Sequence, residues 1–295
     1  MSPSHELSAR DAPGSRARAS LSVAVAAISW GCWSLFLRPA GLPASVTGAL
    51  VFAVVGVVTL PLVRWDGPAR WDRRSAALLL ANAACDAVNV LAFFGALAVT
   101  TVGVAVLTHY LAPLLVALLA PLVDRERIRG ARISALAALV GLTLVLQPWA
   151  APAAGAWAGA ALGAVSAVAY AGNVFIVRRL GLAVGPARAV SFHSLLAALM
   201  LAPFADLHAL EAAPARALGL VALGGVLPGA LGGWLYVSGL RRIGATLGAM
   251  LSFLEPIVAV AVGWLAWGER LGPLAIVGAV VVVASGAAVT LRSSR

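Results

Sequence analysis

The chain has 295 residues, of which 62% are hydrophobic and only 11% are Asp, Glu, Lys or Arg. Soluble domains are roughly 45–50% apolar and about 25% charged, so a soluble globule of this length would lack the polar surface that it needs. The composition excludes a soluble single domain, a disordered chain and a disulfide scaffold, and it predicts an integral membrane protein. Because Cys32 and Cys85 both lie inside apolar runs, we expect neither a disulfide nor a bound metal, and we expect no cofactor.

Ten apolar runs are long enough to cross a bilayer, since a transmembrane helix needs about 20 mostly apolar residues and tolerates roughly 17–25. We therefore predict an all-α membrane protein with ten transmembrane helices. In chain order, the predicted spans are Leu21–Leu37, Ser45–Val63, Ser75–Val99, Val102–Val123, Ile133–Trp149, Ala156–Val177, Ala187–Phe204, Ala217–Leu240, Gly244–Trp267 and Leu274–Leu291.

The net charge of +10 comes from 21 arginines, because the chain has no lysine. The arginines fall in short clusters between the apolar runs, so they indicate membrane topology rather than nucleic-acid binding. With the N-terminus in the cytoplasm, 18 arginines lie inside and three lie outside, namely Arg38, Arg216 and Arg270. Cytoplasmic loops are enriched in basic residues, so we predict a multi-pass protein of the inner (cytoplasmic) membrane with both termini in the cytoplasm.

The segment before the first span, residues 1–20, holds three arginines and is similar to the start of a signal peptide. We expect it to be an uncleaved, disordered cytoplasmic tail, because the first span has a counterpart in the second half of the chain. We expect residues 292–295 to form a short cytoplasmic C-terminal tail.

An internal repeat relates the two halves. Leu97, Pro113 and Glu126-Arg127-Ile128 recur as Leu240, Pro256 and Glu269-Arg270-Leu271, each offset by 143 residues. Near the start of each half, Trp30-Gly31-Cys32-Trp33 matches Tyr170-Ala171-Gly172-Asn173 at an offset of 140 residues. We therefore predict a first repeat at 21–149 and a second at 150–291, with five spans each. Because five is odd, the second repeat is inverted in the membrane, as in secondary transporters with a substrate site near the midplane.

The ends of the fourth and ninth spans carry a further motif. Leu254-Glu255-Pro256 precedes Gly268-Glu269-Arg270-Leu271, and Ala112-Pro113 precedes Asp124-Arg125-Glu126-Arg127-Ile128, in which Asp-Arg-Glu-Arg replaces the commoner Gly-Glu-Arg. With ten spans in two repeats, the chain resembles the EamA-type transporters of the drug/metabolite transporter superfamily from Leu21 to Leu291. The runs Leu240-Arg241-Arg242 and Met250–Pro256 are similar to the threonine/homoserine-exporter branch. The resemblance implies transport but not the substrate, because relatives move amino acids, nucleosides, pigments and dyes.

Four titratable residues lie within the predicted spans, where a charge is costly and usually faces a bundle interior or a wet cavity. They are Asp86, His109, His193 and Glu255. Asp86 and Glu255 lie near the centres of their spans, and they are our candidates for proton coupling. His109 suits a proton relay and a satisfied polar contact equally well, whereas the isolated position of His193 favours a structural role.

Asp86 belongs to a polar stripe on the third span. Asn82, Asp86, Asn89 and Phe93 share one helical face, because they are spaced by four, three and four residues. The 143-residue offset maps them onto Gly225, Gly229, Gly232 and Tyr236 in the eighth span. The pattern favours a cavity with a polar wall that faces a small-residue wall. The alternative is that the polar residues bond neighbouring helices and that the glycines are packing points.

Two prolines and several aromatic residues complete the candidate site. Pro113 and Pro256 each remove a backbone donor and bend their helix, which leaves a carbonyl without its helical partner. Glu255 therefore lies beside exposed backbone polarity, where it suits a proton, a substrate ammonium or a structural role. Trp30 and Trp33 occupy a face that the repeat relates to Tyr170 and Asn173, and these residues either stack on a substrate or pack. The full candidate substrate-binding set is Trp30, Trp33, Asn82, Asp86, Asn89, His109, Tyr110, Tyr170, Asn173, Tyr236 and Glu255.

The acidic and basic residues at the ends of the fourth and ninth spans have a separate interpretation. We expect Glu126-Arg127 and Glu269-Arg270 to act as inter-helix clips or helix-end caps on opposite faces of the membrane, with gating as the alternative.

The sequence predicts a secondary active transporter rather than an enzyme. We expect it to export a small, amino-acid-like metabolite by alternating access, with proton coupling. A multidrug or cationic-dye exporter of the same superfamily is the alternative, because an anionic cavity with aromatic walls suits cations. A membrane-embedded enzyme or structural subunit is the alternative from a different class. The expected partners are a small-molecule substrate and the lipid bilayer, without nucleic acid and with a homodimer left open.

Overall fold

The computed structural model describes residues 13–69, 71–150, 155–268 and 272–293, and within these ranges the chain is helical without strands. We number ten main helices in chain order. They are α1 (segments Pro13–Gly31 and Ser34–Ala40), α2 (Ala44–Trp65), α3 (Arg73–Val99), α4 (Val102–Val123), α5 (Ala131–Leu146), α6 (Ala156–Val184), α7 (Pro186–Phe204), α8 (Ala215–Ile243), α9 (Ala245–Trp267) and α10 (Pro273–Arg292). A short helix, Leu207–Glu211, connects α7 to α8.

Nine of these helices, all except α5, are long and apolar enough to cross a membrane. The apolar helix α5 has 16 residues, which corresponds to about 24 Å against a hydrocarbon core of about 30 Å. It ends before the predicted Trp149 because Gln147 adopts a left-handed conformation and Pro148 follows it. The described residues therefore contain nine helices of spanning length and one shorter apolar helix where ten spans were predicted.

The described helices extend beyond two of the predicted boundaries. The first segment of α1 begins at Pro13, so residues 13–20 are helical, whereas residues 1–12 lie outside the described residues. Proline is tolerated at a helix start because its missing N–H would have no helical partner there. Helix α6 continues to Val184 instead of ending at Val177. Its extension carries Arg178 and Arg179, whose charges are paired with a carboxylate of the first half.

The helices pack in pairs that an exchange of the two halves reproduces. Helix α3 packs along α6 and α8 packs along α1, and each of these pairs is the image of the other. In the same way, α4 contacts α6 and α9 contacts α1. The pairs α2–α7, α4–α9 and α5–α10 each join two counterparts directly. This packing has the pseudo-two-fold symmetry of a duplicated five-helix unit, while the division into domains at residue 150 stays a prediction.

Small residues permit the closest helix contacts. Gly141 on α5 and Gly278 on α10 lie backbone to backbone, so a Cβ on either glycine would strike the carbonyl oxygen of the other. Gly163 on α6 similarly leaves room for the side chain of Thr108 on α4. Helix pairs in membranes are stabilised mainly by such packing, because lipid tails are as apolar as leucine.

Four helices are interrupted near the centre of the bundle. Helix α1 has a turn at Cys32 and Trp33, and α8 contains a π-helical stretch at Gly225–Leu231. Helix α4 consists of two segments, Val102–His109 and Ala112–Val123, and α9 consists of Ala245–Ser252 and Leu254–Trp267. In α4 and α9 the proline lies in the first turn of the second segment, where its missing N–H costs nothing. These interruptions position the site.

Candidate functional site

Asp86 on α3 is the centre of a buried polar group that joins several helices. Its Oδ1 accepts a hydrogen bond from Asn173 Nδ2 on α6 at 2.6 Å, and its Oδ2 accepts one from Asn82 Nδ2 at 3.3 Å. His193 Nδ1 on α7 lies 2.7 Å from the same Oδ2. All four side chains are buried, and we call them the Asp86 cluster. The cluster joins three helices, two of them from the second half of the chain.

One turn further along α3, Asn89 begins a chain of contacts toward α4. Its Oδ1 accepts a hydrogen bond from the hydroxyl of Ser166 on α6 at 2.6 Å, and that hydroxyl lies 2.7 Å from His109 Nδ1. Because Ser166 donates its proton to Asn89, its oxygen accepts from His109, which places the proton of the neutral imidazole on Nδ1. The Nε2 atom of His109 therefore carries the free lone pair.

His109 is surrounded by aromatic rings. It stacks on Tyr170 with 5.2 Å between ring centroids and lies 4.8 Å from Phe93. Phe93 on α3 and Tyr170 on α6 correspond in the repeat to Tyr236 on α8 and Trp30 on α1, whose rings contact each other directly at 4.9 Å. The His109 imidazole therefore contacts both rings of the Phe93–Tyr170 pair, whereas the rings of the corresponding pair, Tyr236 and Trp30, contact each other.

The second polar group contains every tyrosine of the chain, which has three. Glu255 lies in the first turn of the second segment of α9 and is half-buried, and its carboxyl contacts the hydroxyl of Tyr110 on α4. The hydroxyl of Tyr170 is 3.5 Å from that of Ser252, which Tyr236 also faces. We call Tyr110, Tyr170, Tyr236, Ser252 and Glu255 the Glu255 cluster. It lies where the interruptions of α4 and α9 meet, since Tyr110 stacks on its repeat counterpart Phe253 at 6.0 Å.

Both tryptophans of α1 pack against α8, but they differ in their contacts with the site. Trp30 donates a hydrogen bond from Nε1 to the carbonyl oxygen of Pro228, in the π-helical stretch, at 2.9 Å, and its ring reaches Tyr236. Trp33 instead packs against Gly224 and Gly229. The structure therefore joins Trp30 to the Glu255 cluster and leaves Trp33 as a packing residue against α8.

The predicted small-residue wall of a cavity was wrong. Gly225 and Gly229 pack against Val54 and Val55 of α2, and Gly232 packs against Trp30 of α1, so these glycines do not face the polar stripe of α3. Their lack of a side chain serves close helix packing, which was the alternative interpretation. Tyr236, the fourth residue of that face, does reach the Glu255 cluster.

Carboxylates of the first half bind the second half at one end of the bundle. We call this the arginine-rich end, where α2, α4, α6 and α8 finish beside Arg64, Arg125, Arg178 and Arg241. Asp124, directly after α4, forms ion pairs with Arg179 and with Arg178, whose Nη1 is 3.1 Å from Oδ2. These pairs connect the end of α4 to the end of α6.

Two further carboxylates cap helices across the halves at this end. Glu126 accepts the backbone N–H groups of Ala245 and Thr246 at 3.0 Å each, at the start of α9. Asp66 accepts the N–H of Arg188 at 2.7 Å, at the start of α7. A negative charge at a helix N-terminus is stabilised by the free N–H groups and by the helix dipole. The expected helix-end cap is thus confirmed for Glu126, while Glu269-Arg270 lies outside the described residues.

Three site residues were missed or undervalued at the level of sequence. His193 was assigned a structural role, yet it contacts Asp86 across α3 and α7. Ser166 and Ser252 were not selected, although Ser166, Tyr170 and Asn173 share one face of α6 with the four-and-three spacing that singled out α3. Over the part of the chain that the structure describes, no group of three His, Cys, Asp or Glu residues could hold a metal ion.

The fold and the site define an α-helical, multi-pass membrane protein with a polar centre between two matching sets of five helices. Residues 157–291 match the EamA-like transporter family, so the second half of the chain contains an EamA-like domain. The chain is also similar to a protein of known crystal structure, with a TM-score of 0.77 and 23% sequence identity over 92% of this chain and 98% of that one, a likeness of fold alone. No curated protein matches the sequence.

Proposed function

We propose that this protein is a secondary active transporter that exports a small, amino-acid-like metabolite across the inner membrane in exchange for protons. The observation that carries the proposal is the Glu255 cluster, where a half-buried carboxyl and three tyrosines lie at the meeting point of two interrupted helices. Interrupted helices place uncompensated backbone polarity at membrane depth, and transporters use such points to bind polar substrates.

Within this proposal, Glu255 binds the ammonium group of the substrate. The carboxyl contacts the hydroxyl of Tyr110, and part of the residue's surface stays accessible. A substrate ammonium would complete its hydrogen bonding, and the rings of Tyr170 and Tyr236 would cover the apolar part of the substrate. A substrate carboxylate would be directed to the positive N-terminal end of the Ala112–Val123 segment.

The Asp86 cluster is the proton site of the proposal. Asp86 and His193 lie 2.7 Å apart, so one proton can reside on either of them. His109 connects this region to the Glu255 cluster, because its Nδ1 contacts the Ser166 hydroxyl and its ring stacks on Tyr170. Protonation near Asp86 and substrate binding at Glu255 are therefore linked through α6, which carries both Ser166 and Tyr170.

Alternating access follows from the contacts at the arginine-rich end. The bonds of Asp124, Glu126 and Asp66 to the second half hold that end together in this conformation. Rocking of one half against the other would break them and open the site to the same side. We place this end and both termini in the cytoplasm, as the distribution of arginines predicts.

A multidrug or cationic-dye exporter is the second candidate, because one observation favours it. The aromatic rings around Glu255 suit an apolar cation, which they would bind through cation–π contacts. Such a ligand has no carboxylate group, so the site needs no second partner to bind one. A growth screen against quaternary ammonium compounds separates the two candidates. Export of amino-acid-like metabolites predicts no change in resistance when the protein is expressed.

The decisive experiment compares intracellular and extracellular metabolites, without preselection, in cells with and without the protein. We expect at least one amino-acid-like compound to move from the intracellular to the extracellular pool on expression. Identical pools in both conditions would contradict the export proposal. The identified compound then serves as the substrate for purified protein in proteoliposomes, with and without an imposed pH gradient.

A further inference from the structure

A cleft at the arginine-rich end lies between the end of α4, the start of α5 and the start of α9. Its cavity volume is about 630 Å³, and its lining includes Arg127, Arg129 and Arg132. It is separate from the Asp86 and Glu255 clusters and shares no residue with them.

The cleft has an excess of positive charge. Glu126 is the single carboxylate among its lining residues, and both of its oxygens already accept the N–H groups of Ala245 and Thr246. Arg178 Nη1 lies 3.6 Å from Oε1 of the same carboxylate. The three arginines therefore line the cleft together with a single carboxylate, and that carboxylate already binds the start of α9. Guanidinium groups gathered in this way favour a phosphate group, which accepts their hydrogen bonds in pairs.

The rim of the cleft is apolar and faces outward. Leu122 on α4 is 80% exposed and Ile133 on α5 is 74% exposed, and both belong to predicted membrane spans. At the inner side, the hydroxyl of Thr246 is buried without a hydrogen-bond partner among the described residues. Cations beside lipid-facing leucine and isoleucine fit a molecule that has a charged head and apolar chains.

The internal repeat supplies a comparison for this cleft. The 143-residue offset maps Leu122 and Ile133 onto Leu265 and Ile276, which are also exposed, at 73% and 56%. It maps Arg129 and Arg132 onto Gly272 and Ala275. Both copies thus keep the apolar rim, whereas only the first copy has the full set of cations. The first copy therefore carries extra positive charge beside its lipid-facing surface. This charge lies at the end that we assign to the anionic cytoplasmic leaflet.

We propose that this cleft binds the phosphate headgroup of an anionic phospholipid. Arg127, Arg129 and Arg132 hold the phosphate, Thr246 donates its hydroxyl to a headgroup oxygen, and the acyl chains lie over Leu122 and Ile133. Because α4, α5 and α9 all contribute to the cleft, a bound lipid stabilises the packing of these helices at the arginine-rich end.

The test measures lipid binding to the full chain by native mass spectrometry in detergent. The probes are phosphatidylglycerol, phosphatidylcholine with the same acyl chains, and inorganic phosphate. We expect phosphatidylglycerol to remain bound and phosphatidylcholine to dissociate. We expect R129Q/R132Q to bind phosphatidylglycerol roughly 30-fold more weakly, the factor for two arginines near an anionic headgroup.

The matched control is R73Q/R74Q, which removes the same charge from exposed positions in the first turn of α3, outside the cleft. Equally weakened phosphatidylglycerol binding in both double variants would overturn the proposal, because the arginines would then act only through the overall positive charge of this end. Displacement of phosphatidylglycerol by millimolar inorganic phosphate would also overturn it, because the ligand would then be a soluble anion. The readout is binding, so it stays informative even where the proposed transport function fails.

Discussion

The two carboxylates at membrane depth are built into very different surroundings. Asp86 lies in the middle of the uninterrupted helix α3, is 9% exposed, and contacts an asparagine of its own helix, an asparagine of α6 and His193. Glu255 lies directly after an interruption of α9, is half-buried, and contacts the hydroxyl of Tyr110. The protein supplies partners for the first carboxylate and leaves the second accessible.

Under the proposed function, this difference corresponds to two separate tasks. A carboxylate whose two oxygens are both engaged by its own protein has little capacity left for a ligand, because the ligand would have to displace those partners. A half-buried carboxylate with a hydroxyl partner still has acceptor capacity left for a ligand. We therefore assign the proton to Asp86 and the substrate to Glu255, and the following variants test that division.

The largest effect is expected for E255Q. The amide keeps the size of the side chain but loses the charge-assisted contact to a substrate ammonium, which is worth about 1.5–3 kcal/mol. We expect transport at limiting substrate to fall by roughly 10- to 100-fold in proteoliposomes, with an unchanged elution profile of the purified protein. The control is E211Q, which removes a carboxylate from the exposed short helix between α7 and α8. Normal transport by E255Q would remove Glu255 from the substrate site.

A smaller effect of a different kind is expected for D86N and H193Q. Both variants can keep hydrogen bonds within the cluster, but neither leaves a carboxylate–imidazole pair to share a proton. We expect proton-driven accumulation to fall about tenfold and its pH dependence to flatten, while the substrate concentration for half-maximal exchange changes less than about threefold. A loss of substrate affinity equal to that of E255Q would contradict the division of tasks.

Much of the fold followed from the sequence because membrane spans and repeats leave long-range signals. Each span is a run of apolar residues, and the 143-residue offset connects Tyr110 to Phe253 before any coordinates are known. The structure then stacks these two residues on each other. Helical periodicity gave the polar stripe of α3, of which Asp86 and Asn89 hydrogen-bond to residues of α6.

The rest depended on contacts between helices, which periodicity does not encode. A single histidine among apolar residues gave no reason to connect His193 to Asp86, because α3 and α7 are far apart in sequence. The glycines of α8 fit a cavity wall and a packing face equally well, and the position of α1 and α2 decides between them. The π-helical stretch at Gly225–Leu231 contains Pro228, which predicts a distorted helix but not its π-helical form.

The next prediction concerns which side of the membrane reaches the two carboxylates. In E126Q, the cap on α9 and the contact with Arg178 are weakened, so the arginine-rich end opens more often. A cap of this kind contributes about 1 kcal/mol, which corresponds to a shift of roughly fivefold. We expect Cys85, next to Asp86, to react about fivefold faster with a membrane-impermeant thiol reagent applied from that side, in a C32S background.

The companion variant is D124N, which weakens the α4–α6 connection at the same end without touching the α9 cap, and we expect it to speed labelling from the same side. Faster labelling from the opposite side would contradict the proposed direction of opening. Unchanged labelling in both variants would mean that these contacts do not hold the end closed.

The smallest effect is expected for D72A, which tests whether α3 acts on transport through Asp86 alone. Asp72 caps α3, because its carboxylate accepts the N–H of Ser75 at 2.7 Å while the Ser75 hydroxyl accepts the N–H of Asp72. These bonds to Ser75 lower the pKa of Asp72 below its usual 3.8. The cap is therefore complete at neutral pH and is lost only as the pH falls below about 4. We expect the unfolding temperature in detergent to drop by about 2 °C at pH 7 and less at pH 3, with an unchanged pH profile of transport. A flattened transport profile in D72A would mean that the position of the whole helix, and not the Asp86 carboxylate, sets the proton dependence.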